Sequence, residues 1–191
     1  FAAFMAARLI YVSNETVSLP TMAKLFEGER WFVLRLLLQP IGSYQTTNKQ
    51  GSDGNWHFSS TMVFRLQEGD PTTIKENLVF SGHLPYQLIS ADQYRQKANG
   101  QTHQSTIRRK GDVLVDGSED LPLQGDFTLS DYLGIESWIR NSQPTIGESS
   151  SVQQLDFDHM RLRRLTWTVK EKNAEGYIIE SNNHSQATTI K

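Results

Sequence analysis

Two carboxylates and an imidazole crowd together at Asp156, Asp158 and His159, the tightest group of potentially reactive side chains in the chain. In an extended segment Asp156 and Asp158 share one face, where they could hold a hard cation, and His159 points the other way. Calcium and magnesium require more oxygen ligands than such a pair supplies, and Arg161, Arg163 and Arg164 follow directly. The expected picture is a solvated strand edge whose acids face arginines. No metal ligand and no catalytic residue is assigned there. The other histidines, His57, His83, His103 and His184, stand at no metal-ligand spacing.

Nucleophile chemistry finds equally little. The chain has no cysteine, and its serines sit in neither a G-x-S-x-G elbow nor a Ser-x-x-Lys pattern. Gly111, Gly117 and Gly125 punctuate turns and build no phosphate loop. Arg108, Arg109 and Lys110 could meet an anionic lipid or partner, but three charges at a strand end read more simply as a device against further sheet pairing. A hydrolase built on Asp126, Asp131 or Glu136 would need two of them to converge in a cleft. Asp131 has a simpler use, in capping a helix and opposing its dipole.

The aromatic residues offer binding in place of catalysis. Trp31, Trp56, Trp138 and Trp167 fall one per element, which suits a core or a groove better than a platform for nucleic-acid bases. If a concave sheet leaves part of its lining open, Trp56, Phe58, Phe64, Leu133, Trp138 and Trp167 are the residues expected to line a groove for a lipid or other apolar ligand.

The elements that must position these residues are mostly strands. A short helix begins near Pro20, with Met22, Leu25 and Phe26 on one face and Gly28 as its stop. From Trp31 to Thr47 the period changes to that of an extended, largely buried strand, bent or ended near Pro40 and Gly42. From Asn55 to Leu66, Trp56, Phe58, Ser60, Met62 and Phe64 alternate with polar residues, the mark of a half-exposed antiparallel strand. A hairpin turn at Gln50 to Gly54 joins the two. Further strands are expected at 73–80, 86–94, 103–108 and 112–116, separated by turn residues spaced for a meander. A helix follows over 130–141, with Ser130 or Thr128 as its N-cap and Arg140 in its last turn. Strands at 153–161, 164–172, 176–180 and 186–191 complete the sheet. The fold class is α+β and mostly β: one strongly curved, half-barrel-like antiparallel sheet with one or two helices packed on it.

Composition narrows the functional classes. At 191 residues, one domain spanning 14–191 is expected, with room to continue past the chain end. A net charge of −2 provides no basic field for a polyanion, which argues against nucleic acid as a partner. Residues 1–13 open on the apolar run FAAFMAARLIYV, a little over half of the ~20 residues that a membrane span needs. It reads either as the remnant of a membrane anchor or as an N-terminal helix docked on the core. The lack of cysteine suits an oxidising compartment such as the periplasm.

One resemblance draws on Glu136, Ser137, Trp138 and Ile139 in the 130–140 helix, the Pro144–Gly147 turn, the Leu155–Asp158 segment, and Phe64, Arg65 and Leu66. In type and order these elements resemble extracytoplasmic β-rich domains of bacterial envelope proteins. Among them are the N-terminal region of membrane-anchored transglutaminase-like proteins and, more distantly, LolA-like half-barrels. The resemblance implies a periplasmic module anchored to the inner membrane. The transglutaminase machinery is not carried over, because its cysteine has no counterpart here. The expected function is therefore a non-catalytic interaction module that positions an envelope protein partner or a following domain, with no cofactor. The alternatives are a carrier or sensor for a lipid or other apolar ligand, and a carboxylate-based hydrolase.

Overall fold

The computed structural model describes residues 18–25, 27–36, 39–66, 70–173 and 176–181. The first helix, α1 (Leu19–Leu25), buries Met22, as its apolar spacing predicts, together with Ala23; the side chain of Leu25 and residue Phe26 lie outside the described structure. Seven strands follow: β1 (Gly28–Leu36), β2 (Gln39–Gln50), β3 (Trp56–Phe64), β4 (Thr72–Phe80), β5 (Leu88–Gln96), β6 (Thr102–Lys110) and β7 (Val113–Asp116). They pair antiparallel in chain order, so the predicted meander is correct. Helices α2 (Leu129–Tyr132) and α3 (Gly134–Ser142) lead to a second antiparallel sheet of β8 (Ser149–Asp156), β9 (Arg161–Asn173) and β10 (Gly176–Ser181), in the order β10-β9-β8. Residues 1–13 and the strand expected at 186–191 lie outside the described residues. Among the described residues no helix is long and apolar enough to cross a membrane.

The expectation of a single sheet gives way to two, for a reason visible at the edge of β7. There the chain folds straight back, Leu123 N–H donating to Leu114 O and Asp116 N–H to Leu121 O, each at 2.8–2.9 Å, with Pro122 bridged to Val115. A proline lacks the N–H that a further strand would need. β8 therefore starts a sheet of its own.

Three other boundaries move. The strand expected from Trp31 to Thr47 is a hairpin, with Leu36 opposite Gln39 and Trp31 opposite Gln45. Pro40 and Gly42 lie within β2, opposite Arg35 and Leu34 at a register shift, and the chain has already reversed by Gln39. The 130–141 helix breaks at Leu133, whose φ of −92° and ψ of 8° leave the helical region. Its first part is capped by Thr128, which accepts from Asp131 N–H while the Asp131 carboxylate accepts from Thr128 N–H, a reciprocal capping box. The strand expected to run to Arg161 stops at Asp156, where a tight turn over Phe157–Met160 starts β9 three residues earlier than read.

The core occupies one end of the seven-stranded sheet. Trp56, Phe58, Leu78, Phe80 and Ile107 face inward under Phe127, Leu129 and Leu133. Phe58 meets Phe80 edge-on at 5.7 Å between ring centroids and Tyr132 of α2 at 4.9 Å. A smaller cluster forms where Ile139 of α3 meets Val169, Tyr177 and Ile179 of the second sheet. The apolar packing stops at a polar row, since strand register aligns Thr46, Ser60, Glu76, Gln93 and Ser105 across the inner face. This row determines where the molecule leaves space.

Candidate ligand-binding cleft

A cleft of about 250 Å³ opens where the inner face of the large sheet, the α2–α3 pair and the second sheet meet. β4 contributes Glu76 and Leu78, and the helices contribute Tyr132 and Ile135 together with Asp131 and Glu136. Opposite them, Val152, Leu155, Leu165 and Trp167 form the wall supplied by β8 and β9. The break at Leu133 helps to create the space, because the turn it introduces leaves Ile135 only half-buried while Leu133 itself is sealed in the core.

Glu76 is the exceptional residue of this cleft. It follows the inward parity of Leu78 and Phe80, so the backbone turns a carboxyl toward the interior. Its Oε1 accepts from Gln93 Nε2 at 2.7 Å, Gln93 Oε1 accepts from Arg95 NH2 at 3.3 Å, and Arg95 NH1 pairs with Asp158 at 2.9 Å in the β8–β9 turn. Oε2 makes no hydrogen bond with any described residue. Loss of water pushes the Glu76 carboxyl above its ordinary value, and the Gln93 bond and the Arg95 charge counter that only in part. Two further acids line the cleft, Asp131, held in its capping box, and Glu136, which is buried. Among the described residues no basic side chain lines it.

The raised Glu76 value sets a sign for pH dependence. A carboxyl that holds its proton more tightly when folded favours the native state below its ordinary value of 4.5, and that contribution is lost as pH rises through the folded value. Glu76→Gln is therefore expected to gain stability over wild type as pH rises from 4 to 7. Urea unfolding at both pH values measures this; a stability difference that does not change with pH would show that Glu76 is not desolvated.

The residues expected to line a groove are placed as follows. Trp167 lines the cleft. Trp56, Phe58 and Leu133 are sealed in the main core beside it, and Phe64 is buried at the opposite end of β3. Trp138 packs on the smaller cluster around Ile139. Glu76, Ile135 and Leu155 were not anticipated, although an acid on the apolar parity of β4 was a readable signal for the first of them.

Asp156 corrects the expectation of a solvated edge. It is only 9% exposed, and His159, predicted to point away, turns back to place Nδ1 at 3.0 Å from its carboxylate, joined by Arg161 Nε at 3.4 Å. Desolvation opposes its charge, yet the hydrogen bond and charge of His159, with Arg163 and Arg161, hold it below the usual carboxylate range. The group closes the β8–β9 turn. Asp126 does not reach the cleft. It accepts from Arg109 and from Gln87 Nε2, and these bonds outweigh the burial that would raise its value. His103 Nε2 lies 2.9 Å from Ser105 Oγ, and the 6% exposed Ser105 also donates to Phe157 O at 3.4 Å. Among the described residues no cluster of three or more His, Asp or Glu side chains could hold a metal ion.

No family model matches the chain, and no curated protein matches it. Among solved structures, that of a DUF1089 family protein from Pseudomonas aeruginosa is similar over 74% of this chain and 79% of that one, at 14% identity and a TM-score of 0.40. A likeness of that size carries no argument about fold or function.

Proposed function

We propose that this domain is a non-catalytic carrier or sensor whose cleft takes a small apolar ligand, or one end of a longer lipid-like molecule. The observation that carries the reading is the cleft of about 250 Å³ walled by Leu78, Ile135, Leu155, Leu165 and Trp167. A dry apolar cavity of about 150 Å³ suffices for benzene, so roughly ten non-hydrogen atoms suit this one. In this reading the large sheet is a curved, half-barrel-like wall and the helices close it. The setting belongs to the same proposal: an envelope module held at the inner membrane by residues 1–13, which rests on the apolar run and the absence of cysteine.

2-Phenylethanol is a suitable first probe. It is expected to shift the backbone amide resonances of 152–155 and 165–167 and to change tryptophan fluorescence, since Trp167 stands in the wall. Ile135→Trp should fill the space and abolish both responses. Perturbations confined to other surfaces, or unchanged binding by the filled variant, would overturn the reading.

A further inference from the structure

Charge complementarity specifies the polar end of the ligand. The cleft pairs apolar and aromatic walls with three acids, Glu76, Asp131 and Glu136, and among the described residues no lysine, arginine or histidine lines it. The acids are not equivalent. Asp131 Oδ2 already accepts from the backbone N–H and hydroxyl of Thr128 at 2.8 Å. Glu76 uses Oε1 for Gln93 and leaves Oε2 without a donor from any described residue. Arg95, whose charge acts on Glu76, is paired with Asp158 at 2.9 Å and is linked to Glu76 by hydrogen bonds through the Gln93 amide. A carboxyl so placed is fixed in orientation by the chain from Asp158 through Arg95 and Gln93, yet one of its oxygens still lacks a partner.

We infer that the ligand is an amine-bearing amphiphile, its ammonium donating to Glu76 Oε2 and its apolar body lying between Ile135, Leu155 and Trp167. This rests on the reading of the cleft as a ligand site and adds the class of ligand. An anionic amphiphile such as a fatty acid would instead bring its charge beside acids, with no lysine, arginine or histidine among the described lining residues to receive it. A neutral one without a hydrogen-bond donor would cover the half-buried Glu76 and leave its Oε2 without a donor, at a cost to binding. An ammonium supplies the missing donor, and the aromatic residues Trp167 and Tyr132 line the same cleft, where a ring near a cation favours it. The body of roughly ten atoms that the volume admits matches an arylalkylamine.

Three probes of one shape separate the possibilities: 2-phenylethylamine, 2-phenylethanol and 3-phenylpropionate, titrated calorimetrically at pH 7 into wild type and Glu76→Gln. The amine is expected to bind wild type about tenfold or more tightly than the alcohol, the margin of a charge-assisted hydrogen bond, and the carboxylate weakest of all. In Glu76→Gln the amine should lose about that tenfold while the alcohol stays within about threefold, which also shows the cleft of the variant to be intact. Equal binding of amine and alcohol, preference for the carboxylate, or an amine preference that survives Glu76→Gln would each overturn this inference and leave the cleft reading standing. Silence from all three probes in wild type would overturn both.

Discussion

Phe58→Ala is expected to destabilise the domain by about 3–5 kcal/mol, the range for removing a buried aromatic ring. Phe58 is 2% exposed and joins two layers, packing edge-on against Phe80 within the large sheet and against Tyr132 on α2. Its loss leaves a void that neither a paired strand nor a capped helix can easily collapse to fill. For a domain of this size, the melting temperature should fall by roughly 10 °C. Urea unfolding monitored by circular dichroism checks it. A loss below about 1 kcal/mol would mean that α2 does not pack on β3 as described, and the cleft beside that contact would lose its support.

Gly42→Ala should have a comparable effect through a different mechanism. Gly42 pairs with Phe64 across β2 and β3. A Cβ there would collide with Val63 O and lie 2.7 Å from Phe64 Cα and 2.9 Å from Val63 C. All three obstacles are backbone, so no side chain can swing aside and the two strands must separate, at a cost of about 3 kcal/mol. Gly54→Ala is the control. Gly54 has a φ of 79° with open space around its missing side chain, so alanine there should cost only about 1 kcal/mol of backbone strain. Hydrogen exchange of the β2 and β3 amides should rise in the Gly42 variant and stay near wild type in the other. Equal effects from the two substitutions would refute the close approach at Gly42.

These two positions also show how far the chain could be read before folding. Phe58 was placed correctly on an inward face from the alternation of Asn55 to Leu66 alone, because a strand with one wet side and one dry side imposes a period of two on its residues. The same logic recovered the meander of β3 to β7 and the hairpin between β2 and β3, while capping preferences left the helix start between Ser130 and Thr128, of which Thr128 is the cap. Gly42 was read with Pro40 as a bend in one long strand or as its end. A bend and a reversal use the same turn residues, and the apolar run WFVLRLLL continues too evenly to mark which one follows. The break at Leu133 was equally hidden, since Leu129, Leu133 and Ile135 to Ile139 form one apolar stripe whether or not the helix is continuous.

The candidate site was less legible than the fold. Of the six residues proposed from sequence for a groove, Trp167 stands in the cleft, while Trp56, Phe58 and Leu133 fill the core against which it opens. Aromatic size predicts burial but not whether the burial is against protein or against a space. The acid that distinguishes the cleft, Glu76, lies in a segment whose alternation already put it on the parity of Leu78 and Phe80. Its weight was not apparent, since TIKENLVF carries polar residues on both faces near its start.

By itself, the sequence determined what depends on neighbours along the chain: the alternating strands, their antiparallel succession, the capping box, the turns, and the exclusion of thiol chemistry. The tertiary structure alone decided what depends on residues far apart in the chain. The proline-bearing return along β7 closed the first sheet and sent β8 to β10 into a second. The register of β2 to β6 brought Thr46, Ser60, Glu76, Gln93 and Ser105 into one polar row. The meeting of two sheets across α2 and α3 then left a cleft beside that row. A cleft is a gap between surfaces, and no local period in the chain encodes the distance between two sheets. That distance follows from the volumes of all the side chains packed between them.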